Sequence, residues 1–497
     1  MPVNSTHAEY DANAASWSRA RDVFAGEDAV KAAGEKYLPR LDCQDLADYH
    51  SYKNRSSFFN ATSRTGEGFV GLIFRRDPVF KISAGASPLA AAMQRFLEDA
   101  NLLGTSLTAY AKQITEQVMM VGRAGTLVDW NEDTEQRAYA VMYLAEDILN
   151  WQTARVRGRQ VLSLVVLKEA AQKASADGFV PEAVEQLRVL KLVPPANPSA
   201  DWSYAVEVWQ LLPEGGAAPV QTRRGRKVWQ LIQSLTPTRH GQTLPLIPFV
   251  FHGPRHSLPD VDKLPLADII YKNLDHYRLD ADFKHGLHFT ALPTVWVSGF
   301  DKAPDLRIGS RAAWVADSDK AKVGFLEFHG DGLQTFERAM DRDEQMMAVL
   351  GTRMLESRKR VGETAAAIEL RQSGENSILT NISLSLSASL TQVLRWVHWW
   401  HSQERLPDGI GPDCVLATLN TDFSITGMTA VEINAVVAAW QAGAISQETM
   451  LDLFRAGEVI APGRTNAEEM ALLAKRPVAV TPTLPGDVNA LPVTSGQ

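Results

Sequence analysis

Apolar residues fall into two rhythms along the chain, and the change from one to the other divides it into blocks. Up to about residue 120 the spacing is mostly helical. The stretch 25–41 is one candidate helix, and Ser106 to Val121 a better one, with Leu107, Tyr110, Ile114, Val118 and Val121 three or four apart. At Gly122 the rhythm changes to period two. Segments 124–130, 137–151, 161–170, 202–212, 227–235 and 244–253 are β-branched or aromatic and several alternate, as strands do. "LVPPANPSAD" and "LPEGGAAP" are turn-rich connections between them. After Pro265 helix returns, with Leu266, Ile270, Leu274, Tyr277 and Ala281 on one stripe. Short β-like stretches at 292–300 and 323–328 precede a second amphipathic helix striped by Leu333, Phe336, Met340, Met347 and Leu350. The piece between the two helices, about 40 residues, is too small for a core of its own.

A long helix is expected from 363 to 404, where Leu379, Ile382, Leu386, Leu390, Val393, Val397 and Trp400 step by three or four. Inside it "ISLSLSASL" (382–390) also alternates with period two. Helix is preferred because the three-four spacing continues on both sides. A strand at "CVLATL" follows, then three short helices started by Thr429 with Glu432, by Ser446, and by Thr465 with Glu468. The first and third fit capping boxes. The tail from Pro477 has no helical period and is expected to be flexible. The expected fold class is α+β.

Composition narrows the function. The 497 residues suggest roughly two to four domains. With 45% apolar and 22% charged residues, most of the chain should fold. A formal charge of −8 is not that of a protein built to grip nucleic acid tightly, although it allows one past which nucleic acid slides. Two cysteines, Cys43 and Cys414, argue against a disulfide framework and fit a reducing compartment. There is no apolar leader at the N-terminus and no membrane-spanning run, so no membrane partner is expected.

"TGEGFVGLIFRR" (65–76) contains G-x-G-x-x-G at Gly66, Gly68 and Gly71. A dinucleotide fingerprint needs a strand before the first glycine and a helix after the third. Here the context is reversed, with a helix-like segment before and Pro78 soon after, so the glycines read as a turn that packs "FVGLIF" into the core. His398 and His401 in "WVHWWH" have metal-compatible spacing but no further strong ligands nearby, and the four bulky residues read as packing at a helix–helix or subunit interface. No phosphate-loop, nucleophile-elbow or zinc-protease motif occurs; no cofactor and no metal are expected, and a motor ATPase would be a separate protein.

A series of motifs runs in order: "GEKYLPRL" (34–41), "YKNRSSFFNATSRTGEGFVGLIFRRDP" (52–78), "VGRAGTLVDW" (121–130), "AEDILNWQ" (145–152), "IPFVFHG" (247–253), "HYRLDADFKHGLHFTALPTVWVSG" (276–299) and "GETAAAIEL" (362–370). Together they resemble tailed-bacteriophage portal proteins of the group carrying a DUF4055-type domain. The resemblance covers nearly the whole chain, weakening before residue 25 and after 477. It implies a ring, usually of twelve copies, at one capsid vertex of the virion, assembled in the cytoplasm of a bacterial host, through which double-stranded DNA is packaged and ejected. Partners implied are further copies of the chain, the large terminase, capsid and scaffold proteins, and head-completion proteins. The implied layout is an N-terminal arm (1–24), wing (25–264), first stem helix (265–290), small β-containing clip (291–330), second stem helix (331–351), channel loop (352–362), long kinked helix with a return to the wing (363–427), helical crown (428–476) and flexible tail (477–497).

A conduit must not bind DNA strongly, because each neutralised phosphate adds affinity. The two stem helices carry nine acids against five bases. Asp275, Asp280, Asp282, Glu337, Asp341 and Glu344 are the candidate acidic lining; alternatively they are solvated or pair between copies. Where the resemblance places the channel loop, Arg353, Arg358, Lys359 and Arg360 are candidates for transient phosphate contact, the alternative being pairing with Glu356, Glu363 or a neighbouring copy. A reading of another class is an enzyme that holds a nucleotide at Gly66–Gly71 and uses carboxylates such as Asp280 and Asp282.

Overall fold

The computed structural model describes residues 2–83, 88–132, 135–173, 182–195, 202–213, 227–291, 294–298, 320–326, 332–354, 377–402, 407–411, 413–423, 430–457, 459–460 and 464–474. They fall into two compact units, Met1–Phe423 and Ser424–Gln497.

The first unit begins with helices α1 (Ala8–Ala25), α2 (Glu27–Ala32), α3 (Leu46–Arg55) and α4 (Ala61–Ile73), followed by strand β1 (Val79–Ile82), α5 (Pro88–Glu98) and α6 (Leu107–Val121). Instead of the single helix expected over 25–41, α2 gives way to a 3-10 turn at Gly34–Lys36. The larger correction concerns the glycines. Gly66, Gly68 and Gly71 all lie inside α4, which Asn60 caps by accepting from Ser63 N. No turn exists there, and amide groups committed to a helix ladder cannot cradle a phosphate. The rest of that expectation holds: Phe69, Val70 and Ile73 are buried.

α6 ends at Gly122, whose φ of +74° suits a left-handed C-cap. A Cβ there would lie 3.4 Å from the carbonyl oxygens of Asp262 and Lys263. β2 (Ala124–Asn131) and β3 (Arg137–Leu144) follow. The strand expected over 137–151 is broken by a 3-10 turn at Ala145–Asp147, after which β4 (Ile148–Val156) joins a different sheet. β4, β5 (Arg159–Lys173), β6 (Glu182–Val193), β7 (Ser203–Pro213) and β8 (Lys227–Leu235) form a five-stranded antiparallel meander. β6 was not foreseen: its Glu182, Glu185, Gln186 and Lys191 are helix formers that strand neighbours override. The short pair β9 (Thr238–Arg239) and β10 (Gln242–Thr243) leads to β11 (Phe249–His252), which completes the sheet β11-β2-β3.

Next come α7 (Ala267–Ala291), β12 (Thr294–Ser298), β13 (Lys322–Leu326), α8 (Leu333–Arg353), α9 (Ile378–His401) and β14 (Val415–Thr418), which pairs with β1. The part of the expected long helix from 363 to 376 lies outside the described residues, as do most of the intended clip and the tail from 477. The main core lies between the β11-β2-β3 sheet, α5, α6 and α9; a second cluster joins α1 and α3 to α7 through Trp17, Tyr37, Tyr52 and Tyr277.

The ambiguous "ISLSLSASL" is helix, and its serines have a task that explains the alternation. Leu386 and Leu390 enter the core. On the same helix Thr391 Oγ1 accepts from Ala417 N at 3.0 Å, Ser387 Oγ accepts from Leu419 N at 2.9 Å, and Ser383 Oγ donates to Asn420 O at 2.6 Å. Hydroxyls spaced four apart thus give partners to backbone groups of β14 and of the two residues that follow it.

The second unit contains α10 (Ala430–Gln441), α11 (Gln447–Ala456) and α12 (Asn466–Ala474) around Met450, Leu451 and Ile460. Ser446 caps α11. Thr465 and Glu468 form the reciprocal capping box: Thr465 N donates to Glu468 Oε2 and Glu468 N to Thr465 Oγ1. Thr429, the cap foreseen for α10, lies outside the described residues.

Candidate functional site

α7 and α8 pack as a pair of helices, with the β12-β13 ribbon between them in sequence. Leu266, Ile270, Leu274, Tyr277 and Ala281, the stripe expected at the start of α7, are all at most 2% exposed. Asn273, which periodicity cannot single out, lies fully buried among them. It donates to Phe59 O and accepts from both the amide and the hydroxyl of Thr62, fixing α7 to the first turn of α4. α8 returns antiparallel: Lys272 Nζ lies 3.2 Å from Asp343, His276 Nε2 3.3 Å from Glu344, and a Cβ on Gly286 would approach Leu333 to 2.8 Å. The hydrogen bond to Asp343 holds the Lys272 ammonium above its ordinary pKa. β12 and β13 extend the hairpin as an antiparallel ribbon, Thr294 opposite Leu326 and Ser298 opposite Lys322, with Trp296 and Val323 exposed.

The candidate lining acids separate into two groups. Those on α7 are held within the chain. Asp282 accepts from the Tyr52 hydroxyl at 2.6 Å, and burial together with that bond pushes the Tyr52 pKa far up. Asp280 accepts from Ser57 N at 2.6 Å and pairs with Lys284. Asp275 pairs with Lys272 and Arg278, and Arg278 Nε donates to Tyr37 O. Asp280 and Asp282 anchor the N-terminal helices, while Asp275 pairs along α7 itself; the anchoring role required knowing what covers α7. Glu337, Asp341 and Glu344 lie exposed along one flank of α8. Of the basic cluster, Arg353 is the exposed last residue of α8; Arg358, Lys359 and Arg360 lie outside the described residues. Asp280 and Asp282 are engaged by Ser57 and Tyr52, and Gly66, Gly68 and Gly71 lie within α4.

Two polar side chains inside the fold, the buried Arg123 and the half-buried His401, escaped sequence reasoning or were only partly read. Arg123 is 2% exposed, its guanidinium 4.1 Å from the Trp151 ring centre and 4.5 Å from that of Phe251, and it donates to Pro259 O and Asp260 O. It ties β2 to the segment leading into α7; burial lowers its pKa to about 9. At the far end of α9, His401 Nε2 accepts from Ala138 N while its ring lies 5.0 Å from that of Trp130, which also meets Trp400. "WVHWWH" therefore packs against strands β2 and β3, where a helix–helix or subunit interface was expected. Among the described residues no His, Cys, Asp and Glu group is arranged to hold a metal. No helix among them is long and apolar enough to cross a membrane.

Residues 265–401, which span the hairpin and the helix after it, match the family model described as Domain of unknown function (DUF4055). The resemblance to that group, suggested by the ordered motifs, is borne out on this segment. Comparison with curated proteins finds no match. Among solved structures the chain is similar to a chain of the neck of an empty GTA particle computed with C6 symmetry, at 12% identity and TM-score 0.37, covering 84% of this chain and 94% of that one. It is also similar to chains of the virion of a native gene transfer agent particle (13%, 0.35) and of the neck of a native GTA particle computed with C12 symmetry (12%, 0.35), each covering 86% of this chain and 98% of the other. Likeness at this level fixes no feature of the present chain.

Proposed function

We propose that the protein is a portal subunit: copies close into a ring, twelve if the family's number applies, at one vertex of a phage-type capsid. Duplex DNA is packaged and ejected through its bore, and the large terminase, capsid and scaffold proteins and head-completion proteins dock on it. The observation that carries this reading is the coincidence of the DUF4055 match with the helix–ribbon–helix hairpin and the long helix that follows. In the family resemblance those elements are stem, clip and the kinked helix behind the channel loop. A ribbon of two short strands with exposed Trp296 and Val323 also needs neighbours, which a ring supplies. The molar mass of the purified full-length chain by light scattering tests the reading: a many-subunit particle is expected, and a monomer would end it.

Within that reading Arg353, Arg358, Lys359 and Arg360 touch phosphates in passing, and the bore otherwise holds DNA weakly. Changing Arg358, Lys359 and Arg360 to Ala should leave the ring intact while lowering the amount of DNA retained in particles. Normal packaging and retention by that variant would remove the loop from DNA contact.

A further inference from the structure

α8 carries four exposed charges in two like-charge steps. Glu337 and Asp341 are one turn apart, and so are Arg338 and Arg342. All four are exposed, and none has an ion-pair partner among the described residues. A helix stabilised on its own would place opposite charges four apart; like charges at that spacing repel by a few tenths of a kcal/mol per pair. Successive residues of a helix are turned by about 100°, so the acidic pair faces one flank and the basic pair another. Arg338 and Asp341, three apart, attract across the boundary between the flanks, whereas Glu337 and Arg342 have no opposite charge three or four residues away on α8.

The basic flank is also shaped to receive something. Arg278, Arg338 and Arg342 surround a groove floored by Leu279, Ala339 and Met346, the last 39% exposed. Arg278 and the other charges at the groove, Lys272, Asp275 and Asp343, are paired with one another, which leaves Arg338 and Arg342 as its charges without an ion pair among the described residues.

We infer that the acidic flank of α8 in one copy, Glu337 and Asp341, seats on the basic flank, Arg338 and Arg342, of the next copy. The inference rests on the ring reading above and names the seam of that ring. Two complementary patches on different flanks of one subunit make a heterologous, head-to-tail contact, the kind that closes a ring when the rotation allows. Glu337 and Arg338 differ by one residue, as do Asp341 and Arg342, a rise of about 1.5 Å along the helix, so the two patches lie at almost the same level of α8. Such a seam moves Glu337 and Asp341 from the wall of the bore to the contact between copies.

The test uses the full chain in three variants, each checked for an unchanged circular dichroism spectrum. Glu337→Lys with Asp341→Lys should lose the ring peak in size exclusion with light scattering. Arg338→Glu with Arg342→Glu should lose it too. All four substitutions together, which exchange the two flanks, should restore it. Salt should weaken the restored and natural rings alike. If both double variants assemble as the natural protein does, the seam lies elsewhere and the ring reading survives. If the arginine variant assembles normally and loses only DNA retention, the groove's occupant is a nucleic-acid backbone and the inference is overturned. A natural chain that stays monomeric would overturn both readings.

Discussion

Replacing His252 with Leu should cost about 3 kcal/mol at neutral pH and remove part of the protein's sensitivity to acid. His252 is 1% exposed and belongs to a directed chain of hydrogen bonds. Ser389 Oγ donates to Leu386 O, so it accepts from His252 Nδ1 at 2.8 Å; Nε2 then accepts from Thr126 at 2.7 Å, and Thr126 from the Tyr110 hydroxyl at 3.0 Å. Every hydroxyl is used once as donor, and the imidazole must be neutral. Burial accordingly lowers its pKa from 6.5 to about 3. Leucine would leave Thr126 and Ser389 buried with unmade bonds, at roughly 1–3 kcal/mol each.

The sign of the pH effect follows from that depressed value. Above pH 6.5 neither folded nor unfolded chain protonates this residue and its full contribution is present. Between 6.5 and about 3 only the unfolded chain takes the proton, so stability falls as pH falls. At pH 5 the loss is about 2 kcal/mol for one such group. His401, lowered to about 4 by burial, acts in the same direction but is unchanged in the variant. Denaturant titrations at pH 7 and pH 5 should therefore show the natural protein losing about 2 kcal/mol more than His252→Leu. Equal losses would mean that the ring nitrogen is protonated in the fold.

The second large effect is a difference of sign among three glycine-to-alanine changes. Gly125 sits in β2 beneath Phe249 and Ile148, and a Cβ would lie 2.3 Å from Phe249 Cζ and 2.9 Å from Ile148 Cδ1. Both neighbours are buried and cannot swing away, so Gly125→Ala should destabilise by roughly 1–3 kcal/mol. Gly68 and Gly71 lie on the exposed side of α4 with no atom within 4 Å of a Cβ. There alanine only removes chain entropy from the unfolded state, and the double change should stabilise by about 1–2 kcal/mol. Thermal melts of the three single variants decide it; a stabilising Gly125→Ala or destabilising Gly68→Ala would contradict the packing described.

These same residues show what could be read in advance. Long stripes were legible because burial on one face forces a period: all seven positions expected on α9 are at most 5% exposed. Gly66, Gly68 and Gly71 misled because their propensity argues for a turn, while Asn60 capping and the burial of Phe69, Val70 and Ile73 hold the helix together. β6 was invisible for a related reason, its polar residues being placed by β5 and β7 on either side. At the candidate site the hairpin could be read, but not the fate of its charges. Asp280 and Asp282 look like surface acids in sequence, and only the approach of Ser57 and Tyr52 from residues 230 or so earlier shows them engaged. Arg123 and His252 were hidden because their partners arrive from several distant segments.

The most direct trial is an averaged electron-microscopy image of the purified full-length protein viewed from above. The account predicts a closed ring of identical copies around an opening that admits duplex DNA. Isolated subunits, or a ring whose opening is too narrow for a double helix, would contradict it.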